Sequence, residues 1–87
     1  MFVIMVYDIK EKRVAKILKI SRKYLTWIQN SVFEGDITEA HFVKLKHELK
    51  KAIKKEEDSV VFYTFRTKDY TSREILGIEK GKSETII

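Results

Sequence analysis

Residues 2–7, FVIMVY, are apolar without interruption, and the run stops at Asp8. A stretch of this length, rich in β-branched and aromatic side chains, predicts a strand buried on both faces; periodicity alone also fits a buried helix, but the length favours the strand. Asp8 then lies where a rigid strand leaves the core. Because a strand end fixes a side chain while the adjoining loop leaves it open to solvent, we expect a site at Asp8.

Length, charge and cysteine content limit the class of protein. The chain has 87 residues, a formal net charge of +5 and no cysteine. This length predicts a single domain over residues 1–87 and makes extra burial by self-association favourable. The positive balance favours a polyanionic partner such as nucleic acid, with an ordinary solvated lysine surface as the alternative. Without cysteine, neither a disulfide framework nor a thiolate zinc site is possible.

The sequence contains no recognisable targeting or membrane segment. The apolar run at residues 2–7 has no basic region before it, lacks a small-residue cleavage site and is too short to span a bilayer. We therefore expect a cytoplasmic protein with no membrane partner.

Two amphipathic segments with basic outer surfaces predict two helices. Apolar residues recur at helical spacing over residues 10–25 and again over residues 39–56. Asp8 and Glu11 have the spacing of a capping box for the first helix. Asp36 or Thr38 is the expected cap of the second.

The remaining segments predict strands and loops. Residues 26–30 and 32–37 predict an antiparallel hairpin with a turn or bulge near Asn30 and Ser31. Residues 60–65 predict a fourth strand. Beyond them we expect a loop over residues 66–73, a short extra strand over residues 74–79 and a flexible tail over residues 80–87.

This order predicts an α+β fold, a ferredoxin-like βαββαβ sandwich with a short C-terminal extra strand. Val60 and Phe62 alternate with Val61, Tyr63 and Phe65, so the fourth strand is apolar on both faces. Two helices cover only one face of a sheet, and the other face would leave a large apolar patch in water. We therefore predict a symmetric homodimer, with residues 75–78 available to pair with the sheet of the second copy.

Asp8 has two open interpretations. It is a ligand for a hard cation such as Mg²⁺, completed by the second copy across a two-fold axis, or it only caps the first helix. Tyr7 beside it either positions a phosphate or closes the core. Ser31 is either a nucleophile or a turn residue, and the turn is favoured.

The start of the first helix is the candidate surface for nucleic acid. Lys10, Lys12, Arg13 and Lys16 could steer a phosphate backbone, or they are ordinary solvated charges. His41 and His47 are six residues apart, not at the spacing that places two ligands on one helix face. The sequence has no Ser/His/Asp order, no Gly-rich phosphate loop and no metal motif with several ligands.

Two motifs carry a resemblance to a known family. Residues 6–9, VYDI, together with residues 29–35, QNSVFEG, resemble the CRISPR-associated Cas-two family, the small nuclease-like subunit of spacer acquisition. The resemblance continues at residues 58–60, DSV, and at residues 76–78, LGI, so it covers nearly the whole chain. The hairpin motif is the more specific of these signals.

The resemblance implies a ferredoxin-like homodimer in which the two copies of Asp8 face each other across the dimer axis. It implies a magnesium-dependent endonuclease acting on single-stranded RNA or double-stranded DNA, with Asp8 as the catalytic and metal-binding residue. Ser31 and Phe33 match motif positions near the interface and the site. Members also serve as the scaffold that joins integrase subunits and holds prespacer DNA.

The segment after Asp8 departs from the family. Many relatives carry further acidic residues and paired arginines there, whereas this chain has KEKR at residues 10–13, in which Arg13 matches one of those arginines. Fewer carboxylates favour binding over catalysis. A non-catalytic nucleic-acid-binding scaffold is therefore the alternative function. An RNA-recognition module would need a basic, glycine and aromatic motif that the third strand lacks, and a small-ligand regulatory dimer fits the basic surfaces less well.

Overall fold

The strand predicted at the start of the chain is β1, and it lies at the centre of the sheet. A computed structural model describes residues 1–66, 74–78 and 80. The elements are β1 (Phe2–Asp8), α1 (Glu11–Ser21), β2 (Thr26–Gln29), β3 (Val32–Asp36), α2 (Glu39–Ala52) and β4 (Ser59–Phe65). Their order is the predicted one.

The four strands form one antiparallel sheet in the order β2-β3-β1-β4. The first and last strands are thus neighbours, and the hairpin of β2 and β3 lies on the other side of β1. This is the ferredoxin-like βαββαβ arrangement, so the predicted fold class is confirmed. No helix among the described residues is long and apolar enough to cross a membrane.

The core lies between the helices and one face of the sheet. Alternate residues of β1, namely Val3, Met5 and Tyr7, are buried there, because successive side chains of a strand point to opposite faces. Ile17 of α1 and Leu45 of α2 pack onto this face and are fully buried. The helical stripes predicted from the sequence therefore supply the core.

The hairpin owes its shape to two residues of the QNSVFEG motif. Asn30 has a φ of 44°, a left-handed conformation that asparagine tolerates better than most residues, and it makes the turn between β2 and β3. The expected irregularity near Asn30 and Ser31 is this turn; the register also shifts earlier, between Trp27 and Gln29. A Cβ at Gly35 would lie 3.2 Å from a methyl carbon of Leu25, so glycine allows the end of the α1–β2 connection to pack against β3.

Both helices end earlier than predicted. α1 ends at Ser21 rather than at residue 25, because the Ser21 carbonyl accepts the Tyr24 and Leu25 N–H groups and forms a turn. α2 ends at Ala52 rather than at residue 56. Its N-terminal cap is Thr38, whose hydroxyl accepts the His41 N–H at 3.1 Å, while Asp36 accepts a hydrogen bond from the Met1 amino group instead.

The predicted extra strand is absent from the described residues 74–78. Leu76 is 90% exposed and Ile78 is 73% exposed. A strand needs a hydrogen-bonding neighbour, and within one copy this segment has none among the described residues. Its pairing with a second copy stays a prediction. Except for Arg66 and residue 80, the predicted loop and tail at residues 66–73 and 80–87 lie outside the described residues.

Neither α1 nor α2 lies on the second face of the sheet, which we call the open face. Because the register pairs Ile4 with Tyr63 and Val6 with Val61, these side chains share that face. Its apolar members are Phe2, Ile4, Val6, Val32, Val61, Tyr63 and Phe65. Val61 is 43% exposed and Tyr63 is 55% exposed. An apolar surface of this kind marks an interaction site, which supports the predicted homodimer.

We predict that Val61→Lys weakens self-association, because a second copy covering the open face would bury the introduced charge. The expected dimer dissociation constant rises at least about tenfold, measured by analytical ultracentrifugation. Val43→Lys is the matched control, since Val43 is 61% exposed on α2, away from the open face. Equal association of both variants and the wild type contradicts the prediction.

Candidate functional site

Asp8 is the last residue of β1, and its side chain is exposed. Its neighbour across the sheet is Ser59, the first residue of β4. Since Phe2, Ile4 and Val6 alternate onto the open face, Asp8 lies on the same face, at its rim. The carboxylate is therefore at the border between the apolar surface and solvent.

The interpretation of Asp8 as a helix cap is wrong. The N-terminal cap of α1 is Lys10, and no side chain makes the capping hydrogen bond. No described residue forms a hydrogen bond or ion pair with the Asp8 carboxylate. Its oxygens are thus open to a ligand from solvent or from a second copy.

Asp58, immediately before β4, holds the start of α1, which is the role that the capping-box spacing assigned to Asp8. Its side chain is 0% exposed and accepts four hydrogen bonds, two on each oxygen. The donors are the Lys10 N–H at 2.9 Å, the Lys54 N–H at 2.8 Å, and two nitrogens of Arg13 at 2.5 and 2.9 Å. We call these groups the Asp58 cluster; it ties the start of α1 to the loop before β4.

The charges in the Asp58 cluster stabilise one another. The Arg13 hydrogen bonds, helped by the Lys10 and Lys54 N–H groups, hold the pKa of the Asp58 carboxyl well below its usual range, although burial opposes this. The hydrogen bonds that Arg13 donates to Asp58, together with one to Glu57 at 2.8 Å, raise the pKa of Arg13. Asp58 is therefore ionised wherever the protein is folded near neutral pH.

The predicted phosphate-binding residues differ in whether they are accessible to a ligand. Arg13, 17% exposed, has its guanidinium committed to Asp58 and Glu57. Lys10, Lys12 and Lys16 are exposed, and the first two line a shallow surface depression with Glu11 and Glu57. The structure thus leaves the lysines accessible to a phosphate backbone, whereas Arg13 would have to leave its ion pairs.

Tyr7, Ser31 and Phe33 lie on the helix-bearing side of the same region. The Tyr7 hydroxyl donates to the Asn30 carbonyl at 3.3 Å, and the Tyr7 N–H donates to the Ser31 carbonyl at 3.1 Å. The Phe33 ring is fully buried, 6.0 Å from the Tyr7 ring. Burial raises the pKa of the Tyr7 hydroxyl, partly offset by a hydrogen bond with Ser31. These residues fix the β1 end and the hairpin turn.

The histidines form no metal site with the described residues. The His41 ring packs edge-on against Tyr24 at 6.0 Å, and His47 is exposed. Among the residues that the structure describes, no group of three or more His, Cys, Asp or Glu side chains could hold a metal ion. Asp8 is a candidate ligand at the β1 end for a different reason: its carboxylate is exposed and no described residue engages it.

Comparison with known proteins identifies the family. The family model described as CRISPR associated protein Cas2 matches residues 1–73. The chain belongs to the Cas2 family. The Cas2 resemblance of the VYDI and QNSVFEG motifs is thereby confirmed.

Individual Cas2 relatives agree with the family model over nearly the whole chain. The protein named CRISPR-associated endoribonuclease Cas2 from Dictyoglomus turgidum is 59% identical over 87 residues, and the match covers 100% of both chains. A solved structure described as "Crystal structure of cas2" is 41% identical with a TM-score of 0.83, covering 92% of this chain and 90% of its own. Cas2 of Streptococcus pyogenes is 34% identical with a TM-score of 0.75, covering 88% of this chain and 100% of its own.

Each copy of the Cas2 chain offers a side chain, Asp8, that fits the ligand preference of Mg²⁺. Mg²⁺ takes carboxylate oxygens and usually retains several waters, so one or two carboxylates with a substrate phosphate suffice. The Asp8 carboxylate meets this requirement because it is exposed and no described residue engages it. Other ligands would have to come from water, substrate or a second copy.

The Asp58 cluster predicts a specific acid sensitivity. Because the folded-state pKa of Asp58 is lowered, its stabilising contribution is complete above the unfolded-state pKa of about 4 and is lost as the pH falls further. Asp58→Asn should lower the unfolding temperature at neutral pH and flatten its fall between about pH 5 and about pH 2. Thermal unfolding of both proteins across this range measures the effect. Parallel curves for the two proteins contradict it.

Proposed function

We propose that the protein is a magnesium-dependent endonuclease that cleaves phosphodiester bonds in RNA and works as a homodimer in CRISPR adaptation. The observation that carries this proposal is the exposed Asp8 carboxylate at the rim of the open face. The endoribonuclease names of its relatives support the substrate class.

The open face gives the proposed dimer its role in the site. A second copy covering the apolar side chains of β1 and β4 would bring its own β1 end to the same interface. With a two-fold axis close to the rim, both copies of Asp8 would reach one cleft and could hold one Mg²⁺. Within the described residues of a single copy, no group of three or more His, Cys, Asp or Glu side chains could hold a metal ion, so the second Asp8 would add a carboxylate to the site.

The side chains of the chain have separate tasks in this proposal. Asp8 would hold the ion at the rim of the open face, while Tyr7 and Phe33 keep the end of β1 in position from the core side. Lys10, Lys12 and Lys16 attract the phosphates that flank the cleaved bond. When bound, Mg²⁺ supplies an activated water and neutralises charge that develops on the phosphate.

We predict that Asp8→Asn lowers the rate of RNA cleavage by at least about a hundredfold and removes its dependence on Mg²⁺, because the amide is a weak ligand for a hard cation. Gel assays with and without MgCl₂ measure this. Asp36→Asn is the matched control, since Asp36 is an exposed acid paired with Phe2 at the opposite end of β1. Cleavage by Asp8→Asn at the wild-type rate contradicts the assigned role.

A second candidate function, a non-catalytic nucleic-acid scaffold, is favoured by a separate observation. Each copy offers one candidate carboxylate at the β1 end, whereas the start of α1 has several exposed lysines. In this role the dimer binds duplex prespacer DNA and bridges integrase subunits, and phosphate contacts supply the affinity. Retained, strongly salt-dependent duplex binding by Asp8→Asn, with no Mg²⁺-dependent cleavage by the wild type, favours the scaffold.

A further inference from the structure

The link between β1 and α1 is short and is held on both sides. Ile9 is buried in the core, and the Lys10 N–H donates to the buried Asp58 carboxylate. Asp58 immediately precedes Ser59, which is the strand partner of Asp8. The turn that follows Asp8 and the strand that flanks it are therefore fixed by one segment, residues 58–59.

The chemistry of the Asp58 cluster makes this fixation specific to a carboxylate. Each Asp58 oxygen accepts one N–H from the backbone and one from Arg13. An asparagine has one acceptor oxygen and an NH₂ group that would meet other donors, so it cannot satisfy all four. Removing the charge also leaves the largely buried Arg13 guanidinium without its main partner.

We propose that Asp58 is a positioning residue for Asp8: through Lys10 and Arg13 it sets the direction in which the Asp8 carboxylate leaves β1. This inference rests on the proposed function, because it assigns Asp58 a role in the metal affinity of Asp8. In this arrangement Arg13 acts within the protein and not on the phosphate backbone. The position of the Asp8 carboxylate matters because a shift of a ligand by about 1 Å is enough to impair a site.

Asp58→Asn is the principal test, and it has two readouts besides activity. The first is amide hydrogen exchange at Lys10, which should be slow in the wild type and about tenfold faster in the variant, since its acceptor is lost or weakened. The second is a titration with MgCl₂ followed by the NMR shift of the Asp8 amide. The half-saturating Mg²⁺ concentration should rise about tenfold, as is typical when a supporting group behind a ligand is removed.

Glu48→Gln is the matched control. Glu48 accepts hydrogen bonds from Lys23 and Tyr24, so it joins α2 to the turn that follows α1 through a comparable charged contact at the opposite end of that helix. This variant should leave Lys10 exchange and the Mg²⁺ titration unchanged at a temperature where it is folded. Arg13→Lys is a milder variant, because lysine retains the charge but cannot donate through two fixed nitrogens. It should shift both readouts in the same direction as Asp58→Asn, by less.

The possible results distinguish failure of the role proposed for Asp58 from failure of the role proposed for Asp8. Fast exchange of the Lys10 amide in the wild type overturns the inference, whether or not Asp58→Asn folds. Accelerated Lys10 exchange in Asp58→Asn or Arg13→Lys with unchanged Mg²⁺ affinity also overturns the inference, while the role of Asp8 stands. If Asp8→Asn binds Mg²⁺ as tightly as the wild type, the proposed function fails and the inference fails with it.

Discussion

The constraint on which the structure depends is that two helices cover one face of a sheet whose strands are apolar on both faces. β1 alternates Val3 and Met5 toward the helices with Ile4 and Val6 toward the open face. Water contact with the second set is unfavourable, and neither α1 nor α2 covers it. Self-association would remove this apolar surface from water. Because Asp8 lies at the rim of the open face, it would then lie at the border of the interface.

A polar cluster beside the core joins the segments that flank Asp8. The four hydrogen bonds to Asp58 join the start of α1, the end of α2 and the start of β4. A buried carboxylate carries a desolvation cost, and here a bidentate arginine and two backbone N–H groups offset it. The apolar face thus explains why two copies would meet, and the Asp58 cluster explains why the β1 end would present its carboxylate in a defined direction.

Local sequence patterns predicted the elements and their order but not their ends or the Asp58 cluster. The strand predicted from the apolar run at residues 2–7 and the turn near Asn30 rest on local signals, and both are confirmed. The expectation that this strand is buried on both faces is wrong for a single copy, because alternate residues of β1 are only partly buried. α1 and α2 end early because Ser21 and the residues before Asp58 form turns, which periodicity does not reveal. The contact between Arg13 and Asp58 joins residues 45 positions apart. Local sequence spacing does not reveal such a pair. It therefore suggested Asp8 as the helix cap, and it left Arg13 open as a phosphate ligand or a solvated charge.

The most direct measurement of the central claim is the distance between the two β1 ends in the assembled protein. The sequence has no cysteine, so a spin label at Glu11→Cys, close to Asp8, reports a single intermolecular distance by pulsed electron paramagnetic resonance. A label at Ala40→Cys reports the opposite end of the sheet. The account predicts a short Glu11 distance and a longer Ala40 distance. No intermolecular coupling at Glu11, or a Glu11 distance longer than the Ala40 distance, would contradict a shared Asp8 site.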